Sequence, residues 1–323
     1  MSLSHKILVT GACGQIGIEL VAALRQKHGW KNVIASDIHP ATDEMQADGA
    51  YIKLDVLNKK KLAYTVTHLG IKEIYHLAAV LSAKGEQNPV AAWDLNMQGL
   101  LNVLQMAREK KIKKMFWPSS IAVFGPGSMP AVCFQNAKLD PMTVYGISKM
   151  AGEYWCRYYK RNYGLDVRSL RYPGLISHSA LAGGGTTDYA VDIFHAALEN
   201  GSYTCFLKEN ICLPMLYMAD AIRAALELME APKASLLVDT SYNIAGMNFT
   251  PKELACAIRE HIPGLEVDYV PDSRQQIAES WPDSINDRQA HQDWGWQPQY
   301  NLPAMVSDML AHLRAKETVR SVV

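Results

Sequence analysis

Long apolar runs are missing from this 323-residue chain: no stretch approaches the roughly 18 residues that a membrane-spanning helix needs. Charge of one sign is missing too, since 32 Lys and Arg residues balance 32 Asp and Glu. Without a net charge there is no long-range field to gather nucleic acid or an anionic membrane surface. The cysteines (Cys13, Cys133, Cys156, Cys205, Cys212 and Cys256) contain no CxxC pair and read as reduced side chains in a reducing compartment. Neither HExxH nor a compact Cys/His cluster occurs, so no protein-bound metal is expected. The segment before the first strand, "MSLSHK", leaves no room for a signal or transit peptide, and a cytoplasmic location is expected.

What is present is an ordinary globular composition, 49% apolar and 20% charged, long enough for one large or two smaller cores. Near its start "KILVT" reads as a buried strand and "QIGIELVAALRQK" has apolar residues at helical spacing, with Gly11, Gly14 and Gly17 at the join. A helix that begins directly after a strand offers unpaired N–H groups and a positive dipole end where a pyrophosphate can sit. Gly11 makes the turn, Gly14 lets backbone approach phosphate, and Gly17 lets the helix pack on the strand. The second strand, "NVIASD", ends at Asp37, where a carboxylate accepts the hydrogen bonds of an adenosine ribose. Asp37 repels a 2′-phosphate, Ile38 stands where a phosphate-binding chain has Arg, and His39 is the nearby cation candidate that remains. NAD is therefore expected over NADP.

The alternation continues through strands at 51–56, 73–79, 114–120 and 166–173 and helices at 89–111 and 145–163, the last closed by Gly164. That alternation implies an α/β fold, a Rossmann-type doubly wound parallel sheet over residues 1–175, with ligands beyond the carboxyl ends of its strands. Residues 176–323 read as a smaller α+β substrate lobe, with return segments to the first domain near 213–245. The glycine-rich 178–189 loop suits closure over a ligand, and Thr250, Pro251 and Glu253 form a helix-capping signature.

Tyr145 and Lys149, in "YGISK", lie four apart at a helix start and share one face. A neighbouring ammonium and a cationic nicotinamide favour the Tyr145 phenolate, which then takes a proton from a substrate hydroxyl. Lys149 also suits the nicotinamide ribose. Ser120, or Ser119 beside it, orients the same substrate oxygen.

The order GxxGxxG, Asp37, "LDV", "HLAA", Asn96, "PSS", "YGISK", "RYPG" resembles the extended short-chain dehydrogenase/reductases, the NAD-dependent epimerase/dehydratase family, over nearly the whole chain. The resemblance implies cofactor contacts at Gln15, Ile16, Ile38, Asp55, Val56, Leu77, Ala78, Ala79, Asn96 and Tyr172, with Asn96 also supporting the active-site helix. It implies homodimers joined through helices at 90–110 and 145–162. Segments 183–198, 203–224 and 280–296 resemble the branch that oxidises the 3-hydroxyl of L-threonine to 2-amino-3-oxobutanoate, with hydride passing from the β-carbon to nicotinamide C4. For a small zwitterion of this kind, Ser82, Gly185, Thr186 and Thr187 offer short donors, and Trp281 caps the pocket and excludes water. Two other readings stay open: a nucleotide-sugar epimerase or dehydratase on the same scaffold, which "DWGWQP" near the end echoes, and an NAD-sensing regulator without chemistry.

Overall fold

The computed structural model describes residues 6–128, 131–180 and 183–322. Strands β1 (Lys6–Thr10), β2 (Val33–Asp37), β3 (Tyr51–Lys53), β4 (Ile71–His76), β5 (Lys114–Phe116) and Val167–Arg168 form one sheet in the order β3-β2-β1-β4-β5-(167–168). All of its pairings are parallel. Along β1, Ile7 and Val9 enter one core while Leu8 enters the other, and β2 repeats the pattern with Val33 and Ala35 against Ile34. This period of two explains the unbroken apolar runs: both faces of a parallel sheet are covered, so neither set of alternating side chains meets water.

Helices α1 (Gln15–His28) and Met218–Glu230 cover the first face. Helices Lys59–Leu69, Pro89–Glu109 and Val144–Tyr163 cover the second. The helix Val144–Tyr163 starts on the Thr143 hydroxyl, which accepts from the Gly146 N–H, and stops at Gly164, whose φ of 69° a side chain would disfavour. Strand order reverses between β1 and β4, and this switch point opens the crevice in which such folds bind ligands.

The second lobe has its own core. Strand Leu213–Tyr217 lies between Gly174–Ile176 and Met247–Phe249, flanked by helices Tyr189–Glu199, Pro251–Arg259 and Leu302–Val322. Thr250 and Glu253 complete a reciprocal capping box at the start of the 251–259 helix. The chain crosses between the lobes more than once. Helix 218–230 and strand Tyr242–Asn243 return to the first lobe, where Ala290 and Trp296 are also buried, while Ile121–Phe124 and Cys133 pack in the second core. Among the described residues no helix is long and apolar enough to cross a membrane.

One buried ion pair joins these parts. Glu153, fully buried on the 144–163 helix, accepts from the Ser119 hydroxyl at 2.7 Å and from Arg171 Nε and Nη2 at 2.8 Å each. Arg171 also donates to the Gln135 carbonyl and to Asn243 Oδ1. A bidentate, fully hydrogen-bonded pair of this kind is tolerated in a core, whereas a single remaining charge is not. Replacement Glu153→Gln is expected to cost about 3–5 kcal/mol of stability, read as a lower midpoint in urea unfolding with the m-value retained.

Candidate active site

A cavity of about 550 Å³ runs along the carboxyl ends of the strands, within the size range of small-molecule and cofactor sites. Gly11, Gly14, Gln15, Ile16 and Gly17 form one end of its lining. Gly11 has φ 75°, and a Cβ there would stand 2.6 Å from the Ala78 amide nitrogen. A Cβ on Gly17 would stand 2.3 Å from the Gly11 carbonyl, so α1 packs on its own turn as a glycine alone permits. Gly14 is the N-cap and has no side chain to satisfy the helix end, and the first turn of α1 carries no acidic residue. The Gln15, Ile16 and Gly17 N–H groups thus lack an intrahelical acceptor and present the positive end of the helix to the cavity. This is a cradle for an anionic group such as a pyrophosphate.

Asp37 closes β2 beside that cradle, its carboxylate accepting from the Cys13 N–H at 3.0 Å and the His39 N–H at 3.1 Å. Those bonds aim the carboxylate without using all its acceptor capacity. Ile38, Asp55, Val56, Leu77, Ala78 and Ala79 line the same stretch. Tyr172 lines it too, but its hydroxyl is given to the Ala221 carbonyl at 2.8 Å, which leaves only ring surface for a ligand. Asn96 does not line the cavity. Its amide holds the Val80 backbone at both N–H and C=O and donates to Ser148 Oγ, so it braces the wall from behind.

In the middle of the cavity Tyr145 and Lys149 project from the first turns of the 144–163 helix, beside Ser120. Burial holds the Tyr145 phenol up at about 12, and only its hydrogen bond with Ser120 opposes this. Burial brings the Lys149 ammonium down to about 7, against the pull of Cys156 and Glu153. Lys149 Nζ donates to the Pro118 carbonyl at 2.5 Å and lies 5.5 Å from the centre of the Tyr145 ring. Without the positive nicotinamide ring that the sequence reading placed beside it together with the ammonium, loss of water around the phenol decides its position. Ser119 and Ser120 both line the cavity, the Ser119 hydroxyl donating to Glu153 while Ser120 is the serine paired with Tyr145.

At the far end lie Ser82, Thr186, Thr187 and Trp281. The Ser82 and Thr186 hydroxyls are 3.4 Å apart and both side chains are buried. Gly185 also lines the cavity, but its N–H, with that of Gly184, is given to the Asp188 carboxylate at 2.7 and 2.8 Å. Gly185 therefore offers shape rather than a free donor, and Asp188 pins the loop. Asp188 was missed because an aspartate three residues past a glycine reads first as a turn residue; the 184–188 spacing is the signal that was there. Within the expected 178–189 loop, Leu181 and Ala182 lie outside the described residues.

Away from the cavity, folding brings His178 from the loop to Asp308 and His312 on the last helix. Their separation in sequence hid them.

The chain matches the NAD-dependent epimerase/dehydratase family over residues 7–245. An L-threonine dehydrogenase from Cupriavidus necator, in its holo form, is 56% identical with a TM-score of 0.93, covering 95% of this chain and 99% of its own. A monomeric L-threonine 3-dehydrogenase of metagenomic origin is 46% identical with a TM-score of 0.93, covering 96% of this chain and 99% of its own. An uncharacterized epimerase/dehydratase from Staphylococcus haemolyticus is 43% identical over 97% of this chain and 99% of its own length. With the glycine cradle, Asp37 and the parallel sheet in place, the chain belongs to the NAD-dependent epimerase/dehydratase family.

Proposed function

We propose that this chain oxidises the 3-hydroxyl of L-threonine to 2-amino-3-oxobutanoate with NAD as hydride acceptor. The observation that supports this reading best is the lining of the cavity's far end, which is rich in short hydroxyls and holds Lys84 as its lysine. Lys84 and Lys149 are the lysines of the described lining, and no arginine is among it. Lys208 is paired with Glu279 at 2.7 Å, and Arg274 lies over the Phe206 ring and pairs with Asp272. The diphosphate of a sugar nucleotide calls for such cations in the cavity, so the epimerase reading loses its anchors. The sequence and fold similarity to L-threonine dehydrogenases points the same way.

The cradle at Gly11–Gly17 and the Asp37 carboxylate suit NAD, which supplies the hydride acceptor and a positive ring beside Tyr145. Gln15, Ile16 and Gly17 would hold the pyrophosphate, Asp37 the adenosine ribose, and Asp55 and Val56 the adenine. Tyr145 would take the proton of the threonine hydroxyl, while the bound NAD would supply the acceptor for the hydride of the β-carbon. Ser120 donates to the same oxygen, and Lys149 holds the nicotinamide ribose while its charge favours the phenolate. Thr186 and Ser82 fit the amino-acid end, with Trp281 excluding water above it. Proton and hydride leave the alcohol in one oxidation, so the atoms balance. The non-catalytic alternative has no use for Tyr145 and Ser120 hydrogen-bonded in a water-poor cavity.

Initial NADH formation with L-threonine, other 3-hydroxy amino acids and UDP-glucose tests the assignment. Turnover of threonine but not the nucleotide is expected, and the reverse overturns it. Tyr145→Phe is expected to lower kcat by roughly 10²–10⁴-fold while NAD binding is retained. A group held above its ordinary value works as a base only once deprotonated. The rate is thus expected to climb with pH from 6 to 9, and a flat profile removes Tyr145 as the base.

The homodimer belongs to the same reading. Helices Pro89–Glu109 and Val144–Tyr163 pack side by side. Their outer faces leave Trp93, Tyr154, Trp155, Tyr158 and Tyr163 exposed, with Arg108 over the Tyr163 ring. A patch of this kind on adjoining helices suits a two-fold partner. Sedimentation at twice the chain mass is expected for the parent, and at one chain mass for Trp155→Glu combined with Tyr158→Glu. A parent that sediments as a single chain, as the metagenomic relative is described, removes the dimer from the proposal.

A further inference from the structure

We propose that His178, Asp308 and His312 form a binding site for a divalent transition-metal cation of the zinc class, separate from the cofactor cavity. The occupied site ties the last helix to the segment that leads into the substrate loop. The donor set is two imidazoles and a carboxylate, which suits borderline cations such as Zn²⁺ and Co²⁺ better than Mg²⁺ or Ca²⁺. Asp308 and His312 are four apart on the helix Leu302–Val322 and so share one of its faces. His178 comes from the chain just past the strand Gly174–Ile176. One donor atom from each of the three lies within 4.8 Å of the others. A tetrahedral ion with bonds of about 2.1 Å spaces its donors roughly 3.4 Å apart, and rotation of the half-exposed His312 covers the difference.

The surroundings resemble those of built metal sites. The His178 and His312 rings stack with centroids 4.0 Å apart and planes 12° apart, so the two imidazoles are already neighbours and one of them turns out of the stack for both lone pairs to meet one ion. His312 Nδ1 lies 2.9 Å from the Asp308 carbonyl oxygen and 3.4 Å from its carboxylate. His178 Nδ1 lies 3.4 Å from Ser179 Oγ. Tyr217 donates to Asp308 Oδ2 at 2.5 Å, which orients the carboxylate as an outer-shell partner does. The charged groups around the site divide in its favour. Lys316 opposes a cation and is held on the His178 carbonyl at 2.7 Å, while the Asp308 and Glu19 carboxylates attract one. Three ligands leave at least one coordination position for water.

The site sits where four parts of the chain meet. Glu19 of α1 accepts from Ser177 at 2.5 Å, Tyr217 ends the central strand of the second lobe, and Lys316 holds the backbone of residues 178 and 179. Ala180 already lines the cavity, as do Gly183, Gly185 and Thr186 beyond it. A metal bridging His178 to the last helix therefore restrains the entrance to the loop without touching the cavity.

The test uses the untagged full-length chain, stripped with EDTA and dialysed. Titration with Co²⁺ is expected to give a visible d–d band, and calorimetry with Zn²⁺ one site per chain. His312→Ala, at a half-exposed position that leaves folding intact, and Asp308→Asn are each expected to weaken Zn²⁺ at least tenfold. His261→Gln, an exposed histidine elsewhere, is expected to leave it unchanged. With Zn²⁺, amide hydrogen exchange over residues 176–180 is expected to slow in the parent and not in the variants. The proposal is overturned if the parent binds no Zn²⁺, if both variants bind like the parent, or if a thiolate charge-transfer band places the Co²⁺ on a cysteine. Binding without slowed exchange overturns the tie to the loop.

Discussion

The buried carboxylate of Glu153 is the constraint on which the arrangement of the site depends. Tyr145, Lys149 and Glu153 are spaced four and four along one helix, so the same face that presents the phenol and the ammonium ends in this anchor. Glu153 grips Ser119, next to Ser120, and Arg171, next to Tyr172. One interaction in the dry interior thereby sets the helix against two strand ends at once. The position of Tyr145 relative to Ser120 then follows from packing, with no flexible group left to choose it.

The cavity wall shows the same division of labour. Many polar groups in and behind the wall are committed to the fold: Asn96 to the Val80 backbone, Asp188 to the Gly184 and Gly185 amides, Ser119 to Glu153. Buried polar groups stay only where they are paired, and pairing makes them rigid supports rather than ligand donors. The hydroxyls of Ser120, Ser82 and Thr186 are the less committed ones and face the cavity. Burial that excludes water also pushes the phenol up and the ammonium down.

The two lobes are interleaved more than a linear boundary conveys. Ile121–Phe124 leave the strand end of the first lobe and enter the core of the second, and the 218–230 helix travels the other way to cover β1. The cofactor end and the substrate end of the cavity therefore share a continuous interior. Loop residues 183–188 hang between them, braced by Asp188 from within, with His178 and the last helix at the loop's entrance.

Much of this was legible from the amino-acid order alone. The alternation of strand and helix, the glycine turn, the acidic end of β2, the Tyr145–Lys149 spacing and the capping box at Thr250 are local properties, set by periodicity and backbone preference within a few residues. Tertiary structure decided the rest, because it depended on partners distant in sequence. Ser119 and Ser120 are equivalent as letters, and only the arrival of Glu153 and Tyr145 separates them. The engagement of Asn96 with the Val80 backbone and of the Gly185 N–H with Asp188 likewise needed the fold. The tuning of Tyr145 turned on how much water the fold removes, and the His178–Asp308–His312 cluster on bringing together residues 130 positions apart. Neither burial nor such a long-range meeting has a local signature.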